Sequence, residues 1–216
     1  MILSRGRGYL FIHIPKTGGT ALSLALEARA MKDDLLVGDT PKARARRGRL
    51  AGVSTAGRLW KHSALADLEG LLHPREAEQL FIFTLVRNPW DRLVSYYHWL
   101  QLQRFDNPSV LLAKSLSFHE FLWNDHTGDS LRAWPYGRYL RDSGGVDRCR
   151  LWIRLEQIEQ DSAALEQHLG FTLLPLPRVN ESGRGRDYRS FYTDSDMVRV
   201  ADLCAEDIAR FGYSFS

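Results

Sequence analysis

No apolar run in this sequence approaches the roughly 20 residues that a helix needs to cross a bilayer, so no membrane span is expected. The apolar stretch nearest the start, Tyr9-Leu10-Phe11-Ile12, is too short for a signal-peptide core and meets Pro15-Lys16 instead of a cleavage site. Cysteine is scarce. Cys149 and Cys204 lie far apart without metal-ligand spacing, which argues against a disulfide framework or a zinc site and reads as two thiols in a reducing compartment. A cytoplasmic protein is the expectation. Neither sign of charge dominates, since 29 Lys and Arg against 26 Asp and Glu leave a formal net charge of +3. That small excess argues against a polycation that holds nucleic acid by bulk charge. Internal repeats and low-complexity segments are also missing.

What is present suits an ordinary globular chain. Its 216 residues are 44% hydrophobic and 25% charged, enough for one domain over 1–216 with a sizeable core. The charge is unevenly placed. Lys42, Arg44, Arg46, Arg47 and Arg49 crowd one acid-free stretch, and Arg178, Arg184, Arg186 and Arg189 face only Glu181 and Asp187 in another. Such clusters suit phosphate- or sulfate-bearing ligands.

Residues 9–14 read as a buried strand stopped by Pro15, and 20–31 as a helix. Residues 33–55 lack periodicity and read as a long basic connection, mobile or ordered by a ligand. Ser63 is placed to cap a helix ending near His73-Pro74. Residues 80–86 form a second apolar strand, and Pro89 opens a helix with Leu93, Val94, Tyr97 and Leu100 on one face. Ser117 caps a helix through Phe118, Phe121 and Leu122. Residues 150–155 are a third strand, followed by a helix over 156–169 stopped by Gly170. Met197, Ala201, Cys204, Ile208 and Phe211 step by four and three, as one amphipathic helix does. The alternation predicts an α/β fold: a single P-loop-like domain with a central, mainly parallel sheet flanked by helices. Ligands of such sheets bind outside the carboxyl ends of the strands.

Two turns fall at those ends. His13-Ile14-Pro15-Lys16-Thr17-Gly18-Gly19-Thr20 joins the first strand to the first helix. Gly18 and Gly19 allow a sharp bend and close approach of a ligand. The helix amides behind them favour an anion, Lys16 adds a full charge, and Thr17 and Thr20 add hydroxyls. A Walker A loop would carry its lysine after the last glycine, whereas Lys16 precedes both. The second turn, within Phe81-Ile82-Phe83-Thr84-Leu85-Val86-Arg87-Asn88-Pro89-Trp90-Asp91-Arg92-Leu93-Val94-Ser95-Tyr96-Tyr97, puts Arg87 at a strand tip. There its planar fork can grip a phosphate, and Ser95 can add a hydroxyl. Asp91 and Arg92 read as a local ion pair.

The pair HIPKTGGT and FTLVRNPWDRLVSYY resembles the two cofactor-binding motifs of the sulfotransferases, especially the group that includes heparan and chondroitin sulfotransferases and bacterial relatives. The similarity extends to WKHSAL, LPRVNES and ARFGYSF. The resemblance implies a sulfotransferase that uses 3′-phosphoadenosine-5′-phosphosulfate (PAPS) and releases 3′-phosphoadenosine-5′-phosphate (PAP). It also implies no metal, with the acceptor a hydroxyl on a carbohydrate. By resemblance, Lys16, Thr17, Gly18, Gly19 and Thr20 hold the 5′-phosphosulfate, and Arg87 and Ser95 hold the 3′-phosphate. The loop Gly183-Arg184-Gly185-Arg186 loosely resembles a cofactor clamp of the cytosolic members.

In-line sulfuryl transfer develops negative charge on the leaving oxygen, which Lys16 is suited to neutralise. The acceptor must lose a proton, and histidine matches that task near neutral pH. His62 occupies the family's catalytic position, while His13 faces the other side of its strand and supports the loop. Lys61 either assists His62 or touches the donor, or is simply exposed. Trp134-Pro135-Tyr136 is the best sugar-stacking candidate, although ordinary core or interface packing is the stronger reading. The alternatives are a P-loop nucleotide kinase, for which magnesium ligands are missing, and a non-enzymatic nucleotide or nucleic-acid binder resting on 42–49, a run without aromatics.

Overall fold

The computed structural model describes residues 1–177, 179 and 187–216; the loop 183–186 therefore lies outside the described residues. The chain forms two compact units: residues 1–86 with 136–179, and residues 87–135 with 180–216. Helices α1 (Gly19–Ala28), α2 (Pro41–Ala45) and α3 (Pro74–Gln79) belong to the first unit. Helices α4 (Pro89–Gln101), α5 (Pro108–Ser115), α6 (Phe118–Trp123) and α7 (Asp125–Ala133) belong to the second. The chain returns to the first unit for α8 (Tyr136–Leu140), α9 (Ile158–Asp161) and α10 (Ala163–Leu169), and to the second for α11 (Asp194–Leu203) and α12 (Ala205–Phe211).

The first unit is α/β. Its five strands, β1 (Ile2–Ser4), β2 (Tyr9–Ile12), β3 (Leu35–Leu36), β4 (Phe81–Val86) and β5 (Leu151–Arg154), lie in the order β3-β1-β2-β4-β5. The pairings β2–β4 and β4–β5 are parallel, and β1 pairs antiparallel with β2 and β3. The parallel ladders are the longer ones and hold the middle of the sheet. Leu10, Phe11, Ile12, Ile82, Phe83, Leu85 and Val86 are wholly enclosed, as strands covered on both faces must be. Phe11 stacks on Phe83 at 5.4 Å between ring centres. Leu22 and Leu26 of α1 and Leu165 of α10 complete the same core. Each such side chain contributes about 1.5–3 kcal/mol through burial.

Strands β1 and β3 were not legible, because two or three apolar residues carry no period. Gly8, at φ 64°, closes the turn from β1 into β2, with its amide donating to the Arg5 carbonyl at 3.2 Å. The stretch read as a connection, mobile or ordered by a ligand, holds β3, α2 and a short 3₁₀ turn. The Thr40 side chain caps α2, while Lys42 Nζ donates to the Glu27 carbonyl at 2.5 Å and Arg46 Nη1 to that of Met31 at 2.7 Å. Arg49 donates to the Lys32 carbonyl. Three cations of the run thus satisfy carbonyls at and just beyond the end of α1, where the helix dipole favours positive charge. Nor does Ser63 open a helix. Its hydroxyl accepts from the Trp60 amide at 2.9 Å, and only a short 3₁₀ turn follows at Leu65–Leu68.

The second unit is helical. Asn88 accepts from the Trp90 amide and Pro89 takes the first position of α4, the expected start. Leu93, Val94, Tyr97 and Leu100 pack with Phe121 and Leu122 of α6 and Val200 and Leu203 of α11. Ser117 caps α6 in a reciprocal arrangement with Glu120. Buried Asp196 accepts from His119 Nδ1 at 2.7 Å and Trp123 Nε1 at 2.8 Å, tying α6 to α11. The C-terminal stripe is two helices, broken at Cys204. The Cys204 thiol sits in the core, where burial pushes it up to about 12. Among the described residues no helix is long and apolar enough to cross a membrane.

Candidate anion-binding turn and its histidines

Strand β2 ends at Ile12, and the six residues that follow turn the chain into α1. Two of them occupy the left-handed region, Gly18 at φ 85° and Lys16 at φ 67°. A non-glycine residue there is strained by an amount of order 1–3 kcal/mol, and such strain gathers at functional sites. A β-carbon on Gly18 would come within 2.8 Å of Leu155 Cδ1, so glycine is required on both counts. Gly18 is the N-cap of α1 and offers no side chain to its amides, and the first turn holds no acid. These amides therefore keep their full attraction for an anion.

The threonines divide. Thr17 is buried and its hydroxyl donates to the Ile14 carbonyl at 2.9 Å, so it braces the turn from within. Thr20 is half-buried, and its hydroxyl has no partner among the described residues.

His62 is brought to the base of this turn. Its Nδ1 lies 2.7 Å from the His13 carbonyl oxygen, which can only accept. Nδ1 therefore carries the proton, and Nε2 is the basic nitrogen of the neutral ring. The His13 and His62 rings meet edge to face at 4.6 Å, and Trp60 meets His62 likewise at 5.0 Å. Trp60 is 38% exposed, with the Arg58 guanidinium 5.0 Å over its ring. Lys61, for which the sequence left two readings open, pairs with Asp39 at 2.6 Å and holds that carboxyl below its usual range.

His13 does not face away from the turn. Its ring stacks on Phe11 at 5.7 Å and lies against the α-carbon of Gly19. A β-carbon at Gly19 would meet His13 Cγ at 2.9 Å, with Cδ2 and Nε2 nearer still. Burial first, then neighbouring positive charge and His62, hold His13 well below the ordinary imidazole range. Alternation along β2 pointed the ring to the wrong side because the strand stops at Ile12, one residue before it.

Arg87 and Ser95 belong to the second unit. Arg87 donates from Nε at 2.8 Å and Nη2 at 2.6 Å to one oxygen of Asp91, one helical turn ahead. Asp91, expected in a local ion pair, forms one with Arg87, at the i,i+4 spacing that brings side chains together on a helix. Ser95 is buried on α4, and its hydroxyl has no partner among the described residues. Tyr136 is wholly buried and Trp134 is 38% exposed. Among the described residues no group of three His, Cys, Asp or Glu could hold a metal ion.

The solved structure of mouse sulfotransferase SULT7A1 complexed with PAP is similar over 92% of this chain, at 19% identity and a TM-score of 0.43. This chain covers 64% of the length of that protein. No curated protein sequence matches. The sequence pattern of the sulfotransferase family matches residues 1–214, nearly the whole chain, which therefore belongs to the sulfotransferase family.

Proposed function

We propose that this chain transfers a sulfuryl group from PAPS to a hydroxyl on a carbohydrate. The observation that carries the reading is the turn itself. Open helix amides, Gly18, Gly19 and Lys16 stand beside a histidine whose tautomer leaves Nε2 basic, in a chain of this family. PAPS supplies the sulfuryl group and a phosphate leaving group. The residues of the first unit suit the 5′-phosphosulfate of such a ligand, through the uncapped amides and Thr20; for Arg87 and Ser95 the role toward a 3′-phosphate is what their motif implies. The Lys16 ammonium supplies positive charge where negative charge develops. His62 Nε2 takes the proton of the acceptor hydroxyl, while Nδ1–H stays on the His13 carbonyl and fixes the ring. Half-exposed Trp60 beside His62 offers an aromatic face for a sugar ring, and Arg58 suits its acidic groups.

The test combines labelled PAPS with a panel of glycans, phenols and lipids, read by mass spectrometry, and calorimetry of PAP in chelator. A labelled glycan is the expected product. Preference for ATP with magnesium over PAP would instead favour a kinase. His62→Ala should bind PAP normally, lose about 10²–10⁴ in rate and lose the acid limb of the pH profile. Unchanged turnover would move the base elsewhere.

A further inference from the structure

The His13 imidazole presents a problem that the turn alone does not solve. The residue is 6% exposed, yet neither ring nitrogen has a hydrogen-bond partner among the described residues. The residue is held by ring contacts to Phe11 and His62 and by the bond from His62 to its carbonyl. Neither nitrogen is among the fully enclosed, unpartnered polar atoms of the described residues, so what exposure the ring keeps leaves its nitrogens open to a partner from outside. Nε2 is not randomly aimed. Nε2 lies against Gly19, the first residue of α1, beside amides that no side chain caps. Ring and amides therefore address one place. Burial keeps the ring neutral, so Nε2 can offer an N–H without adding charge.

We propose that His13 is a direct ligand of the donor nucleotide, with its Nε2–H donating to the 5′-phosphate oxygens held at the start of α1. This rests on the PAPS reading above and assigns that site a donor from the strand side. Gly19 must then lack a side chain for two reasons: it admits the anion, and it admits the imidazole that serves the anion. A phenylalanine at 13 would keep the ring stack on Phe11 and lose only the N–H.

Two measurements test this on the full chain with PAP as the probe. Calorimetry should show wild type binding PAP and His13→Phe binding it about 10- to 150-fold more weakly, the range for losing one hydrogen bond to a charged group. His13→Gln, which carries an amide donor on a similar reach, should recover part of the loss. Nitrogen-15 NMR of the wild-type imidazoles needs no variant, and PAP should shift the His13 Nε2–H signal downfield as the bond forms. Wild-type affinity in His13→Phe, or a His13 resonance indifferent to PAP, would overturn the inference alone. No PAP binding by wild type would overturn the PAPS reading and the inference with it.

Discussion

Replacing Gly19 with alanine adds one methyl group at the most crowded point of the anion-binding turn. The new β-carbon would sit 2.9 Å from His13 Cγ and closer to two further ring atoms, where ordinary contact begins near 3.4 Å. The ring cannot retreat freely, since Phe11 backs it at 5.7 Å and His62 at 4.6 Å. Overpacking of this kind costs about 1–3 kcal/mol, and a clash against a held ring belongs at the upper end. Alanine regains at most about 1 kcal/mol of helix propensity, which leaves a net loss of about 2 kcal/mol. For a chain of this length that lowers Tm by about 4–8 °C. Calorimetric unfolding measures it, with PAP titration alongside to show the turn displaced. His13→Ala removes the obstructing ring, so the Gly19→Ala penalty should nearly vanish in that background. A penalty equal in both backgrounds, or absent from both, would refute the clash and the ring placement it rests on.

Lys16→Gly should leave Tm unchanged or slightly raised, because it removes the left-handed strain at φ 67°, while sulfuryl transfer falls with the lost charge. A marked fall in Tm would show that the lysine side chain stabilises the fold. His13 also sets a pH dependence. Its folded pKa lies below its unfolded one, so the unfolded chain takes up a proton below about pH 6.5 that the folded chain refuses. Its contribution is intact above that pH and is lost as pH falls, at up to about 1.4 kcal/mol per pH unit. Urea unfolding at pH 7.5 and 5.5 should show a smaller acid loss in His13→Gln than in wild type, and equal losses would contradict the burial argument.

The alternation of apolar strands and periodic helices was legible in the chain, since long runs such as Phe81–Val86 and the stripe Leu93, Val94, Tyr97, Leu100 allow one burial pattern. The sequence also placed the glycine turn, its lysine and the Asn88-Pro89 helix start, because backbone freedom, charge and capping are local chemistry. Tertiary structure decided the rest. Strands β1 and β3 exist only through pairing with β2 and with each other. The 42–49 run is ordered by carbonyls at and just beyond the end of α1 that no local period reveals. The approach of His62 Nδ1 to the His13 carbonyl crosses 49 positions, and the wedge of His13 against Gly19 depends on where β2 stops. A side chain's type and spacing are written in the chain, but the atom it meets is fixed by burial and by hydrogen bonds between residues far apart in sequence.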